Sequence, residues 1–234
     1  MKEYMEKYSI SRDVMAEWPV LMHEHASKNP YAQLPFKIKK EQVMKSPVIS
    51  EPLTLFDMSP IGDGAAAVIL ASEDVARKLT DTPIEIAGFA ISTDKVYATS
   101  REDLTSLNAV RETSIKAYSM ANITSRDVDV VEVGDVFTIT GILSVEELDL
   151  SKKGVAVKDL VNGRFRVGDE PTVNPSGGLK ARGDPVGATG IYQVAEIAMQ
   201  LGGGFPGVKV NAEVGVAECI GGFGSSASVI VLKR

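Results

Sequence analysis

From Pro83 onward, short strand-type runs alternate with longer runs of helical periodicity, and this alternation constrains the fold more than any other feature of the chain. The pattern predicts strands at 84–91 and 128–133, helices at 104–120 and 137–148, and strands at 208–216 and 227–232. A glycine-rich stretch, 174–190, opens a further helix at 191–201, where Ile191, Val194, Ala195, Ala198 and Leu201 form one apolar stripe. Strands separated by helices place those helices on the faces of a sheet, so a layered α/β fold is expected.

Upstream the signals change. An amphipathic helix near Arg12–His25 is followed by Pro30, Pro35 and Pro47, an irregular region that reads more as a lid or docking loop than as core. Turn chemistry over Asp57–Gly64 leads into the apolar run Ala65–Ala71, which reads as a buried strand. Ser72 can cap a short helix through Leu79. The expected organisation is therefore a loop region 1–50, a strand and helix within 51–82, and a self-sufficient layered unit 83–234. A buried strand cannot leave its backbone groups unpaired, so 65–71 needs a neighbour, either in that unit or outside this sequence.

Composition narrows the function. At 234 residues and 44% apolar, the chain can bury a sizeable core. A net charge of −6 argues against nucleic-acid binding, which wants a basic face. The single Cys219 allows no internal disulfide and fits a reducing, cytoplasmic compartment. Residues 1–7 are polar and charged, and no apolar run approaches the roughly 20 residues of a membrane span. Two histidines, His23 and His25, with one cysteine are too few for an ordinary zinc site, so no metal is expected. The histidines read as a partly exposed pair on a helix or loop.

Three segments can carry chemistry. Glycines at 177, 178, 183, 187 and 190 before a helix let a ligand approach the backbone, with free amides favouring an anion or oxyanion. A tight packed loop explains them equally well. The stretch is neither a phosphate-binding P-loop nor a dinucleotide fingerprint. Cys219, followed by Gly221 and Gly222, could be a base or nucleophile of lowered pKa, although a lone cysteine is more commonly a small core residue. Asp135, at a strand-to-helix turn, reads as a helix cap.

In order, these segments resemble the thiolase superfamily, closest to its archaeal and sterol-carrier-protein type. Asn29-Pro30-Tyr31-Ala32-Gln33 is similar to the family's Asn-Pro-x-Ala-Gln stretch. Ser59-Pro60-Ile61-Gly62-Asp63-Gly64-Ala65-Ala66 is similar to Ser-x-x-x-Asp-Gly-Ala-Ala. Asn174 to Gly190 resembles Asn-Pro-Ser-Gly-Gly…Gly-His-Pro-x-Gly-Ala-Thr-Gly, and Cys219 to Gly222 the terminal Cys-x-Gly. The resemblance implies the family's layered αβαβα architecture, with one complete C-terminal half, a remnant of the loop domain and the last strand of the N-terminal half. It places Cys219 and Asp184 at catalytic positions. Gly134, Asn174 and Gly221 fall in the oxyanion loops, and Ser59, His23 and Gly177 along coenzyme A.

The sequence departs from the family at three of four catalytic points. The half bearing the nucleophilic cysteine lies outside it, the Gly-His-Pro histidine is Asp184, and the strand-end Asn or His is Gly134. An ionised aspartate accepts hydrogen bonds and cannot donate one to an oxyanion as an imidazole N–H does. The resemblance implies an acyl-CoA C-acyltransferase of acetyl-CoA acetyltransferase type acting in lipid metabolism, or one subunit of a split enzyme, with coenzyme A thioesters as substrates, no other bound cofactor, and Cys219 as acid/base. A non-catalytic acyl-CoA-binding or assembly subunit is the alternative, and an acyl-CoA carbon–carbon lyase a second. Expected partners are acyl-CoA, further copies of the chain, and either a subunit carrying the N-terminal half or a zinc-ribbon/OB-fold acyl-CoA-binding protein.

Overall fold

A computed structural model describes all of residues 1–234. The N-terminal region contains helices α1 (Lys2–Tyr8), α2 (Arg12–Met15), α3 (Glu17–Ala26) and α4 (Lys40–Lys45), then the short hairpin β1 (Val48–Ser50) and β2 (Leu53–Thr54). Next come α5 (Glu73–Leu79), β3 (Glu85–Thr93), α6 (Asn108–Ala121), β4 (Val130–Glu132), α7 (Thr138–Glu147) and α8 (Ala156–Val161). The chain closes with β5 (Thr172–Val173), α9 (Gly178–Arg182), α10 (Thr189–Leu201), β6 (Val214–Gly221) and β7 (Ser226–Lys233).

Five strands form one mixed sheet in the order β3-β7-β6-β4-β5. β4 runs parallel to both β5 and β6, whereas β7 is antiparallel to β6 and β3. Strand alternation sends successive residues to opposite faces. On one face Val131, Val133, Val216, Val229 and Val231 pack with Val110 and Ala117 of α6 and Ile142 and Val145 of α7. On the other, Val130, Ala217 and Leu232 pack under Ile197 and Leu201 of α10. The expected α/β layering is present, and α6 comes so near the sheet that a Cβ on Gly88 would sit 2.3 Å from the Ala117 carbonyl.

Four local expectations need correction. Residues 1–50 are not a detached lid: Tyr4, Met15, Trp18, Leu21 and Met22 are buried in the main core cluster. The helix expected over 12–25 is two helices meeting at Ala16, with Pro19 in the first turn of α3, where the missing N–H does no harm. Ala65–Ala71 is no buried strand: it joins neither sheet, its backbone pairs with nothing, and Ile69 and Leu70 are 91% and 73% exposed. The sheet of the 83–234 unit ends at β3, whose outer edge is left unpaired, and residues 65–71 do not occupy that edge. The strand expected at 208–216 begins only at Val214 and runs on to Gly221, so Cys219 lies within β6 and not beyond its end. No helix is long and apolar enough to cross a membrane.

Candidate functional site

Because β4, β5 and β6 are parallel, their C-terminal ends reach one edge of the sheet. Gly134, Asn174 and the Cys219–Gly221 segment follow or close these three strands, so residues far apart in sequence meet there. The turn after α9 adds Asp184, and Tyr31, Gln33, Gly62, Asp63, Arg182 and Tyr192 line a cleft of about 260 Å³ beside it.

Cys219 is half-buried and packs against α10, where a Cβ on Gly190 would lie 3.5 Å from its Sγ. Its thiol is pushed up to about 12 by burial and by the negative charges of Glu218 and Asp184, with Arg182 opposing them. This reverses the lowered pKa that neighbouring amides suggested. At neutral pH Cys219 is therefore a thiol, a proton donor in its resting state. Asp184 accepts hydrogen bonds from Thr189 Oγ1 at 2.5 Å and from the Val186 amide at 3.2 Å. These bonds pin its carboxylate to the start of α10, and Ile61 bridges to Asp184 in parallel from the 57–64 turn.

Gly134 stands where a side chain has no room: a Cβ there would meet Ile220 Cγ1 at 2.9 Å. Its amide donates to Glu218 Oε2 at 2.7 Å, inside the protein. Asn174 is fully buried, with a positive φ of 47°. Its Oδ1 accepts from the Val133 amide at 2.7 Å, so the side chain ties β4 to β5. Gly177, with φ at 101°, begins α9, and a Cβ on it would lie 2.5 Å from Ala26 Cβ. Gly221 closes β6 and accepts the Ser225 amide at 3.1 Å. Ser59 is half-buried and donates its amide to the Val136 carbonyl at 2.9 Å.

His23 and His25 are fully interior, not the exposed pair expected. His23 Nδ1 bonds the Phe36 carbonyl at 2.9 Å, and its ring packs against Phe36 and Phe56. Burial and the Lys180 ammonium drive its pKa down to about 4, so it is neutral. His25 Nδ1 bonds the Asn174 carbonyl at 3.0 Å, securing the loop that precedes α9. Asp135 does not cap the helix that follows it. It accepts from the Leu179 amide at 2.7 Å, capping α9 across the fold, and from Trp18 Nε1 at 3.0 Å.

Sequence reasoning missed a set of buried charges behind the site. Glu132 accepts from the Ser176 amide at 3.0 Å and from its hydroxyl at 2.7 Å. Arg182 Nε lies 3.3 Å from Glu196 Oε1, and its guanidinium stacks 4.9 Å from the Tyr192 ring. Lys180 is 1% exposed, with Nζ 3.5 Å from His23 Nε2; burial lowers its pKa to about 8. One signal was available: Glu196 is the only charged residue in α10, set amid apolar neighbours.

Comparison with known proteins fits this arrangement. Residues 90–234 match the family described as thiolase C-terminal domain-like. An acetyl-CoA acetyltransferase of Methanothermobacter thermautotrophicus is 44% identical over the whole chain, and one of Methanocaldococcus jannaschii is 42% identical over 99% of it. The chain spans 61% of the length of each of these curated relatives. Among solved structures, an Ltp2-ChsH2(DUF35) aldolase superposes over the entire chain and 61% of its own length, with a TM-score of 0.87 at 22% identity, a likeness of fold. With more than half of its residues matched by the family and a relative this similar along its full extent, the chain belongs to the thiolase family and corresponds to its C-terminal part.

Proposed function

We propose that this chain is the acid/base half of a thiolase-type acyl-CoA C-acyltransferase. The nucleophilic cysteine would come from a thiolase N-terminal half, carried on a longer polypeptide or on a partner subunit. The observation that carries the reading is that Cys219 packs against Gly190 while Asp184 bonds Thr189, which brings both to the start of α10, with Asp184 lining an open cleft. Cys219 as a thiol is matched to protonating a carbanion when a carbon–carbon bond is cleaved, and its thiolate to removing that proton in the reverse direction. Ser59, two residues before the Ile61 that bridges to Asp184, is our candidate contact for the pantetheine arm of coenzyme A. The exposed Ile69 and Leu70, with Phe89 and Ile91 on the outer face of β3, support a further folded half covering this side.

The second reading, a non-catalytic acyl-CoA-binding or assembly subunit, draws on Gly134. Ile220 occupies the space in which an oxyanion-binding side chain would have to stand. Losing one such donor costs about 3 kcal/mol of barrier. The test is native co-purification with intact-mass analysis, followed by thiolysis of acetoacetyl-CoA by the isolated complex. Turnover that needs both halves and falls at least about 100-fold in Cys219→Ser supports the catalytic reading. Acyl-CoA binding that persists in Cys219→Ala, without turnover in any pairing, establishes the second.

A further inference from the structure

Three of the buried charged or polar side chains behind the cleft have polar atoms that meet no partner. Arg182, Gln193 and Glu196 are at most 4% exposed. All three guanidinium nitrogens of Arg182, Oε1 of Gln193 and Oε2 of Glu196 make no hydrogen bond. The Arg182–Glu196 approach of 3.3 Å is an ion pair without hydrogen-bond alignment. Unpaired Arg182 donors thus lie beside the Glu196 carboxylate, with Gln193 about one turn earlier on α10, groups of complementary kind that bound water satisfies.

The line leads to Cys219. Gly190, against which Cys219 packs, Gln193 and Glu196 sit on successive turns of α10. Gln193 Nε2 also donates to the Glu218 carbonyl at 2.6 Å, one residue from Cys219 in β6. At the other end, Arg182 precedes Asp184 by two residues, with Gly183 turning the chain at φ 116°. The charged groups that act on the thiol are Glu218 on β6, Asp184 after α9, and Arg182. Arg182 is the one cation in that set.

We infer that Arg182 is a positioning residue for the Cys219–Asp184 pair, acting through water held between Arg182, Gln193 and Glu196. Its charge offsets the surrounding carboxylates, so the Cys219 thiolate can form when a proton has to leave. The proton passes from Sγ to the carbanion left when the carbon–carbon bond breaks, and the S–H electron pair stays on sulfur. This role rests on the acid/base reading of Cys219, but its test does not need acyl transfer. A crystal structure of the 234-residue protein at about 1.5 Å should show at least one water bonded to two of these three side chains. Alkylation of Cys219 by iodoacetamide across pH 7–10 should be about tenfold slower at pH 8 in Arg182→Met, one unit of apparent pKa. Arg182→Lys should stay within about threefold of the wild type. Direct side-chain bonding with no water there, or a folded Arg182→Met whose profile coincides with the wild type, overturns the inference. Thiolysis failing in the reconstituted complex while these results hold would reject the acyltransferase reading alone.

Discussion

Replacing Gly177 by alanine separates a packing glycine from a ligand-approach glycine. The backbone there has φ 101°, in the region where a side chain clashes with its own carbonyls at about 1–2 kcal/mol. The new Cβ would also sit 2.5 Å from Ala26 Cβ and 2.8 Å from Ala26 Cα. Relief requires α3 and α9 to move apart, and overpacking of this kind costs about 1–3 kcal/mol. Together Gly177→Ala should destabilise the protein by about 2–5 kcal/mol. Urea unfolding followed by circular dichroism reads this directly. With a slope of about 3 kcal/mol/M, the midpoint should fall by about 1 M with the slope unchanged. Ala26→Gly in the same background should recover only the part due to the Ala26 Cβ, because the approach to the Ala26 Cα remains, and the double-mutant cycle reads that part as a coupling. A midpoint that moves by less than about 0.2 M, with loss of acyl-CoA binding alone, would refute the packing argument and make Gly177 a ligand contact.

Trp18→Phe should cost about 1–3 kcal/mol, because Asp135 Oδ2 loses its Nε1–H donor while staying buried, and Trp18→Ala about 3–5 kcal/mol, both read from urea midpoints. Gly134→Ala should cost about 1–3 kcal/mol against Ile220, and Ile220→Ala should recover most of it, which a double-mutant cycle measures. Burial raises Glu218 to about 7 from its usual value of 4.5, so between those values the folded state holds a proton that the unfolded state has released. Stability from this group is full below about pH 4.5 and declines toward pH 7, at up to about 1.4 kcal/mol per unit. His23, lowered to about 4, works in the opposite sense below pH 6.5. Glu132 and Asp135, also raised to about 7 by burial, and Glu196, raised likewise, act in the same sense, so across pH 6.5–7.5 the urea midpoint should fall as pH rises and Glu218→Gln should reduce the slope without abolishing it.

The layered α/β arrangement was legible from residue 83 onward because period-2 and period-3.6 patterns are properties of neighbouring residues. The helix at 189–201 and the strand at 226–233 follow closely where the apolar stripes fall. Family membership was legible for a related reason: Asn174–Gly190 holds several turn and packing requirements in one continuous stretch. What the residues by themselves could not determine was which groups end up together. Asp135 looks like a local cap, yet the parallel strands carry it to the amide of Leu179 and the indole of Trp18, partners 44 and 117 residues away. Ala65–Ala71 has the composition of a buried strand, but burial needs a neighbour, and the tertiary structure leaves that segment in solvent. Cys219 likewise took its high pKa first from its burial, packed against α10, then from Glu218 beside it and from Asp184, 35 positions away. Pattern along the chain determines which face an element buries, because that depends on local geometry. Pairing, burial of charge and pKa depend on what lies across the interior, and only the folded structure decides that.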